Sequence, residues 1–190
     1  FSYYEKINKS DQLEKYYRKD SNNNEELLLD PNVKLKSQQF YSVGSLSPSH
    51  DNNLIGMSED NNGRREYTIK FFDPKTGKYL DDVIEDTGGR IIWTKDNKHI
   101  IYTKKDPVTL ISNLVYVHKI GTNVSDDVLI YKETDTEYNM SIYPSRSKEF
   151  IYINIEATNS NEIRLIDSSS PMEEPKIYIK RSDDHLYYLE

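Results

Sequence analysis

Ile92-Trp93-Thr94-Lys95-Asp96-Asn97-Lys98-His99-Ile100-Ile101-Tyr102 reads as the end of one apolar strand, a polar turn and the start of a second strand. The same shape occurs upstream, at Leu46-Ser47-Pro48-Ser49-His50-Asp51-Asn52-Asn53-Leu54-Ile55-Gly56-Met57. It returns downstream at Ile142-Tyr143-Pro144-Ser145-Arg146-Ser147-Lys148-Glu149-Phe150-Ile151-Tyr152. Anchored on Leu54, Ile100 and Phe150, the spacing is about 46 and then about 50 residues, within the range of propeller blades. A period of this length means one supersecondary unit stacked on copies of itself.

Each unit continues alike. A third strand is predicted at Tyr67 to Phe72, Leu114 to Ile120 and Glu162 to Ile166, and a fourth at Leu80 to Glu85, Val128 to Lys132 and Lys176 to Lys180. Tyr67, Ile69 and Phe71 alternate with Thr68 and Lys70, the period-2 pattern of a strand. Turn residues separate the runs: Asn62-Gly63, Asp73-Pro74-Lys75-Thr76-Gly77, Gly88-Gly89 and Gly121-Thr122-Asn123. The 16 tyrosines suit a pleated, half-buried surface. A four-stranded sheet cannot cover both of its apolar faces, whereas radial stacking covers them and leaves short edges.

The expected fold is therefore all-β: a partial β-propeller of four-stranded antiparallel blades at about 40–86, 87–134 and 135–183. Residues 1–30 read as a partial blade with strands at Phe1 to Ile7, Leu13 to Lys19 and Glu25 to Leu29. A short helix near Val33 to Gln39 is compatible with the lead-in, and 184–190 reads as the first strand of a further blade.

A net charge of −7 argues against general nucleic-acid affinity, which needs a basic face. No apolar run is long enough to span a membrane. The absence of cysteine points to a cytoplasmic location. The triplets at Asn8, Asn123 and Asn139 that match a glycosylation pattern are expected by chance in so Asn- and Ser-rich a chain.

Site motifs fail when tested, so neither catalytic nor metal nor cofactor residues are expected. Gly44-Ser45-Leu46-Ser47 lacks the second glycine of a hydrolase nucleophile elbow and reads as strand. His50, His99, His118 and His185 lack metal-ligand spacing. His50 and His99 are expected to be solvated in turns, and His118, on a face with Leu114, Tyr116 and Ile120, to be hydrogen-bonded in packing. Asp20-Ser21-Asn22-Asn23-Asn24 begins like a calcium loop but has Glu25 where glycine is required, so it reads as a hairpin. Lys75-Thr76-Gly77-Lys78 lacks the spacing of a phosphate loop. The pairs Asp81-Asp82, Asp126-Asp127, Glu173-Glu174 and Asp183-Asp184 read as solvated loop charge, with a negative rim for basic peptides as the alternative.

Several stretches in one order resemble the propeller of the oligopeptidase B (protease II) group of the prolyl oligopeptidase family of serine peptidases. They are Gly63 to Lys70, Asp73 to Leu80, Asp82 to Glu85, Ile92 to Lys98, Ile101 to Pro107, Val117 to Thr122, Asp127 to Glu133 and Glu162 to Asp167. The resemblance implies a seven-bladed propeller covering an α/β-hydrolase domain with a Ser-Asp-His triad. Cleavage would follow Arg or Lys, in short peptides that the propeller admits. No position here matches the triad, so the chain alone is expected to be inactive. The peptide would be met through a hydrolase domain that is not in this chain, its gene segment lost or encoded separately. Two departures stand out. Ser47-Pro48-Ser49-His50-Asp51 carries an apparent extra residue against the family's compact Ser-Pro-Asp turn, and Ile111-Ser112-Asn113 replaces a common Arg-Pro pair.

The alternative is a non-enzymatic propeller serving as a binding platform. The WD subtype is disfavoured because Trp93 is followed by Thr94. A propeller glycosidase would need convergent carboxylates, which the scattered loop acids do not supply.

Overall fold

The computed structural model describes residues 1–189. Its strands are β1 Ser2–Lys6, β2 Lys15–Lys19, β3 Glu25–Leu29, β4 Ser42–Pro48, β5 Ile55–Asp60, β6 Tyr67–Asp73, β7 Lys78–Thr87, β8 Ile92–Trp93, β9 His99–Lys105, β10 Ser112–Lys119, β11 Val128–Lys132, β12 Asn139–Pro144, β13 Phe150–Glu156, β14 Asn161–Asp167 and β15 Lys176–Ile179. All pairings are antiparallel between sequence neighbours, apart from one contact between β7 and β9. The first blade is β1–β3, the second β4–β7, the third β8–β11 and the fourth β12–β15. This is the all-β partial propeller that the repeat predicts.

Local chemistry sets the element ends. The helix α1 covers Pro31–Leu35, earlier than the sequence suggests, because Asp30 caps it and Pro31 occupies its first turn. The side-chain oxygen of Asn32 then accepts from the Gln12 and Leu13 N–H groups, and its amide donates to the Leu13 carbonyl. Leu13 is thereby withdrawn from strand pairing, and β2 starts at Lys15.

Three apolar cores lie between the blades. Leu28 and Leu29 of the first blade meet Ile55 and Met57 of the second. Ile69, Phe71 and Ile84 of the second meet Trp93, Ile100 and Tyr102 of the third. Ile101, Val115 and Val117 of the third meet Met140, Ile142, Ile151, Ile153 and Ile155 of the fourth. The alternation explains this. Ile100 and Tyr102 face backwards along the arc while Ile101 faces forwards, so β9 is apolar on both sides.

The second and third blades are not separate sheets. The end of β7 reaches β9, where Thr87 pairs with Lys104 and the Gly88 N–H donates to the Thr103 carbonyl at 2.8 Å. A Cβ on Gly88 would lie 2.2 Å from the Thr103 hydroxyl. Gly89 follows with φ +89°, against the Tyr67 ring. These glycines form the corner at which the chain leaves an outer strand for the next inner one.

Residues 184–189 form no strand, contrary to the reading of 184–190 as an opening strand, and Glu190 lies outside the described residues. The segment is held by a side chain instead. Asn161 donates to the Tyr187 carbonyl and accepts from the Tyr187 N–H, and its own backbone N–H donates to the His185 carbonyl. Residues 187–189 lie over Tyr143, Tyr152 and Asn154, on the side of the fourth blade away from the third.

Candidate functional site: the inner wall and the blade seams

The three first strands lie next to one another, β4 beside β8 and β8 beside β12, so they form the narrow, inner side of the arc. One cleft on this wall is lined by Ser45, Ser47, Arg90 and Ile92, and another by Gly88, Arg90, Lys105, Asn139 and Ser141. Arg90 is exposed between them. Its guanidinium stacks over Tyr143 at 4.3 Å and donates to the Ile142 carbonyl at 3.4 Å. The wall offers a cation, hydroxyls and amides. Ser45 lies in β4, as its sequence reading has it.

The turns that end the first strands share a circuit that the sequence reading missed. Ser49, Thr94 and Ser145 each donate a backbone N–H across the turn, to the carbonyls of Leu54, His99 and Phe150. Their hydroxyls meet Asp51 at 2.6 Å, Asp96 at 2.6 Å and Ser147 at 3.2 Å. Those acceptors in turn take the N–H of Asn53, Lys98 and Glu149. The repeat is thus anchored on His99, one residue before Ile100. Ser49-His50-Asp51 is the compact turn itself, with no insertion relative to its sister turns. The Ser47-Pro48 pair belongs to β4 and lies outside the turn.

The turns also link blades. Asn97 accepts from the His50 N–H at 2.7 Å, Lys95 N–H donates to the Ser168 hydroxyl at 2.9 Å, and the Trp93 indole donates to the Ser47 carbonyl at 2.8 Å. Burial pushes the Asp96 carboxyl up, but the Thr94 hydroxyl and the Lys98 N–H outweigh it and lower its pKa to about 2. His50 is exposed, as expected, whereas His99 is half-buried against Asp96 at 2.8 Å, so the solvated reading fails there. The Asp96 bond fixes its ring.

Two buried polar networks cross the outer seams. His118, fully buried, places Nδ1 2.7 Å from Asp127 and Nε2 3.4 Å from Asp82. The Tyr102 hydroxyl donates to Asp127 at 2.7 Å, and the Gly121 N–H donates to Asp82 at 2.6 Å. Phe71 stacks on the imidazole. Burial pulls the His118 pKa down, but Asp127 and Asp82 outweigh it and hold it above the ordinary value. Asp82 and Asp127 are therefore not solvated loop charge. The alternation of β7 turns Asp82 inward, and a 3-10 turn at Val124–Asp126 delivers Asp127 to the imidazole. Asp81, Asp126, Glu173, Glu174, Asp183 and Asp184 are exposed.

Between the third and fourth blades, Arg181 donates to Glu133 at 2.5 Å and to Glu162 at 3.4 Å, and stacks over Tyr138 at 4.1 Å. Arg164 completes the set, 2.7 Å from Glu162 and over Tyr131. Burial, with Glu133 nearby, pushes the Tyr131 hydroxyl up to about 12. Such residues are far apart in the chain and follow no short motif. Among the described residues, no group of three or more His, Asp or Glu has the arrangement to hold a metal ion.

The model of the prolyl oligopeptidase N-terminal β-propeller domain matches residues 1–190. Dipeptidyl aminopeptidase BI of Pseudoxanthomonas mexicana is 40% identical over 147 residues, covering 77% of this chain and 20% of that protein. Protease 2 of Moraxella lacunata is 29% identical over 199 residues, covering 100% of this chain and 29% of that protein. The chain thus spans less than a third of the length of either relative. Among solved structures, oligopeptidase B from Leishmania major has the same fold, with a TM-score of 0.89 over 96% of this chain and 26% of that one, at 24% identity. Blades stacked around an inner wall, matched by the family model over residues 1–190, place this chain in the prolyl oligopeptidase family as N-terminal β-propeller.

Proposed function

We propose that this propeller gates substrate access to the catalytic domain of an oligopeptidase B-like serine endopeptidase that cleaves short peptides after Arg or Lys. The observation that carries the reading is the family match over the whole chain, joined to an inner wall that offers polar contacts but no triad. A ring of blades admits only what fits its bore, so selection by size is the role open to it. The chain's own part is steric and electrostatic, and the hydrolysis belongs to a separate domain. The absence of cysteine supports a cytoplasmic setting.

A second reading rests on one observation. The 40% identity is to a relative named as a dipeptidyl aminopeptidase, which suggests removal of dipeptides from a free N-terminus. The full-length product of the gene encoding these residues separates the two. Turnover of an N-blocked peptide with Arg before the reporter group supports the endopeptidase reading. Turnover confined to dipeptide reporters with a free amine supports the second, and an inert product overturns both.

A further inference from the structure

We propose that His118, held between Asp82 of the second blade and Asp127 of the third, is a proton-operated latch on the seam between those blades. Its two carboxylate partners are buried, with side-chain exposures of 7% and 2%. The groups facing the imidazole from each packed element are few. β7 supplies Asp82, the turn before β11 supplies Asp127, β6 supplies the uncharged Phe71, and β9 supplies Tyr102 through Asp127. Among the described residues, no lysine or arginine pairs with either acid.

Geometry dictates the charge. With His118 protonated, both ring nitrogens donate and one cation sits between two anions. With His118 neutral, one ring nitrogen has no proton to offer, and two carboxylates share a dry pocket with no cation. The contacts most affected join blades, because Asp82 and Gly121 belong to different ones.

The sign follows from the raised folded-state pKa. The latch is fully closed below about pH 6.5, the value of a free imidazole, and its contribution is lost as pH rises through the folded midpoint. If the opened seam leaves His118 at its free value, the opening equilibrium rises by up to tenfold per pH unit between those two points and levels off beyond them.

Hydrogen exchange of the full-length product of the gene encoding these residues, corrected for the intrinsic pH dependence, reads this opening at the Gly121 amide and along β7 and β10. The expected result is a rise in opening of up to tenfold per pH unit above about pH 6.5, absent from the seam between the third and fourth blades. In His118→Gln the seam opens more at low pH and loses the dependence. Because that variant could misfold, the imidazole of the unaltered chain is also titrated by NMR. Flat exchange between pH 6 and 9, or an imidazole midpoint at or below the free value, overturns the latch.

Discussion

Lys148 sits at φ +61°, the position taken by Asn52 at φ +61° and Asn97 at φ +57° in the sister turns. Asparagine visits the left-handed region readily, whereas a lysine Cβ there costs about 1–2 kcal/mol. Lys148→Asn is expected to raise stability by about 1 kcal/mol, read as a higher urea midpoint at unchanged slope. Partial desolvation of the His50 ring, with the Lys148 charge second, holds its pKa down, and the same change removes that charge. The His50 midpoint should therefore move up towards the ordinary value in an NMR titration, and an unmoved midpoint would remove Lys148 from its surroundings. The turn circuit itself was legible in the sequence, as Ser or Thr two residues before Asp or Ser. It was obscured because Ser47-Pro48 offered a more familiar pattern two residues too early. The partners of His118 were not legible, since Asp82 and Asp127 look like their exposed neighbours until strand phase and a 3-10 turn decide which way they point.

Strand order and strand identity follow closely from period-2 alternation, because each blade interior is a plain two-sided burial problem. What alternation does not reveal is where one blade touches the next. The corner at Gly88 and Gly89 shows why. It is set by a missing Cβ and a carbonyl fifteen residues away in Thr103, not by any local propensity. Gly88→Ala is expected to destabilise the chain by about 1–3 kcal/mol through overpacking. Adding Thr103→Ala removes the hydroxyl that the new methyl meets, so the double variant should recover part of the loss. Thermal unfolding of the single and double variants checks this, and strictly additive losses would mean that the corner relaxes elsewhere. Residues 184–189 show the opposite limit. Their composition is strand-like, but no neighbouring strand pairs with them, and the Asn161 side chain fixes the backbone instead.

At the scale of the whole molecule, the arc consists of three buried cores between four blades, with two terminal faces. The far face of the fourth blade presents Tyr143 and Tyr152 under a thin cover of 187–189, and at its edge Ile177 is 51% and Tyr178 59% exposed. Uncovered sheet faces and strand edges favour association. The 190-residue chain on its own is expected to self-associate with rising concentration, as measured by size-exclusion chromatography with light scattering. A monomer over a wide concentration range, unfolding cooperatively, would mean that the arc caps itself.

The proposed division, in which the propeller selects substrates and a separate domain cleaves them, admits a direct test. It is tested most directly by incubating the purified chain with an N-blocked fluorogenic peptide ending in Arg and with a free-amine dipeptide reporter. The account predicts no turnover of either. Hydrolysis that copurifies with the chain and is abolished by a serine-reactive inhibitor would contradict it.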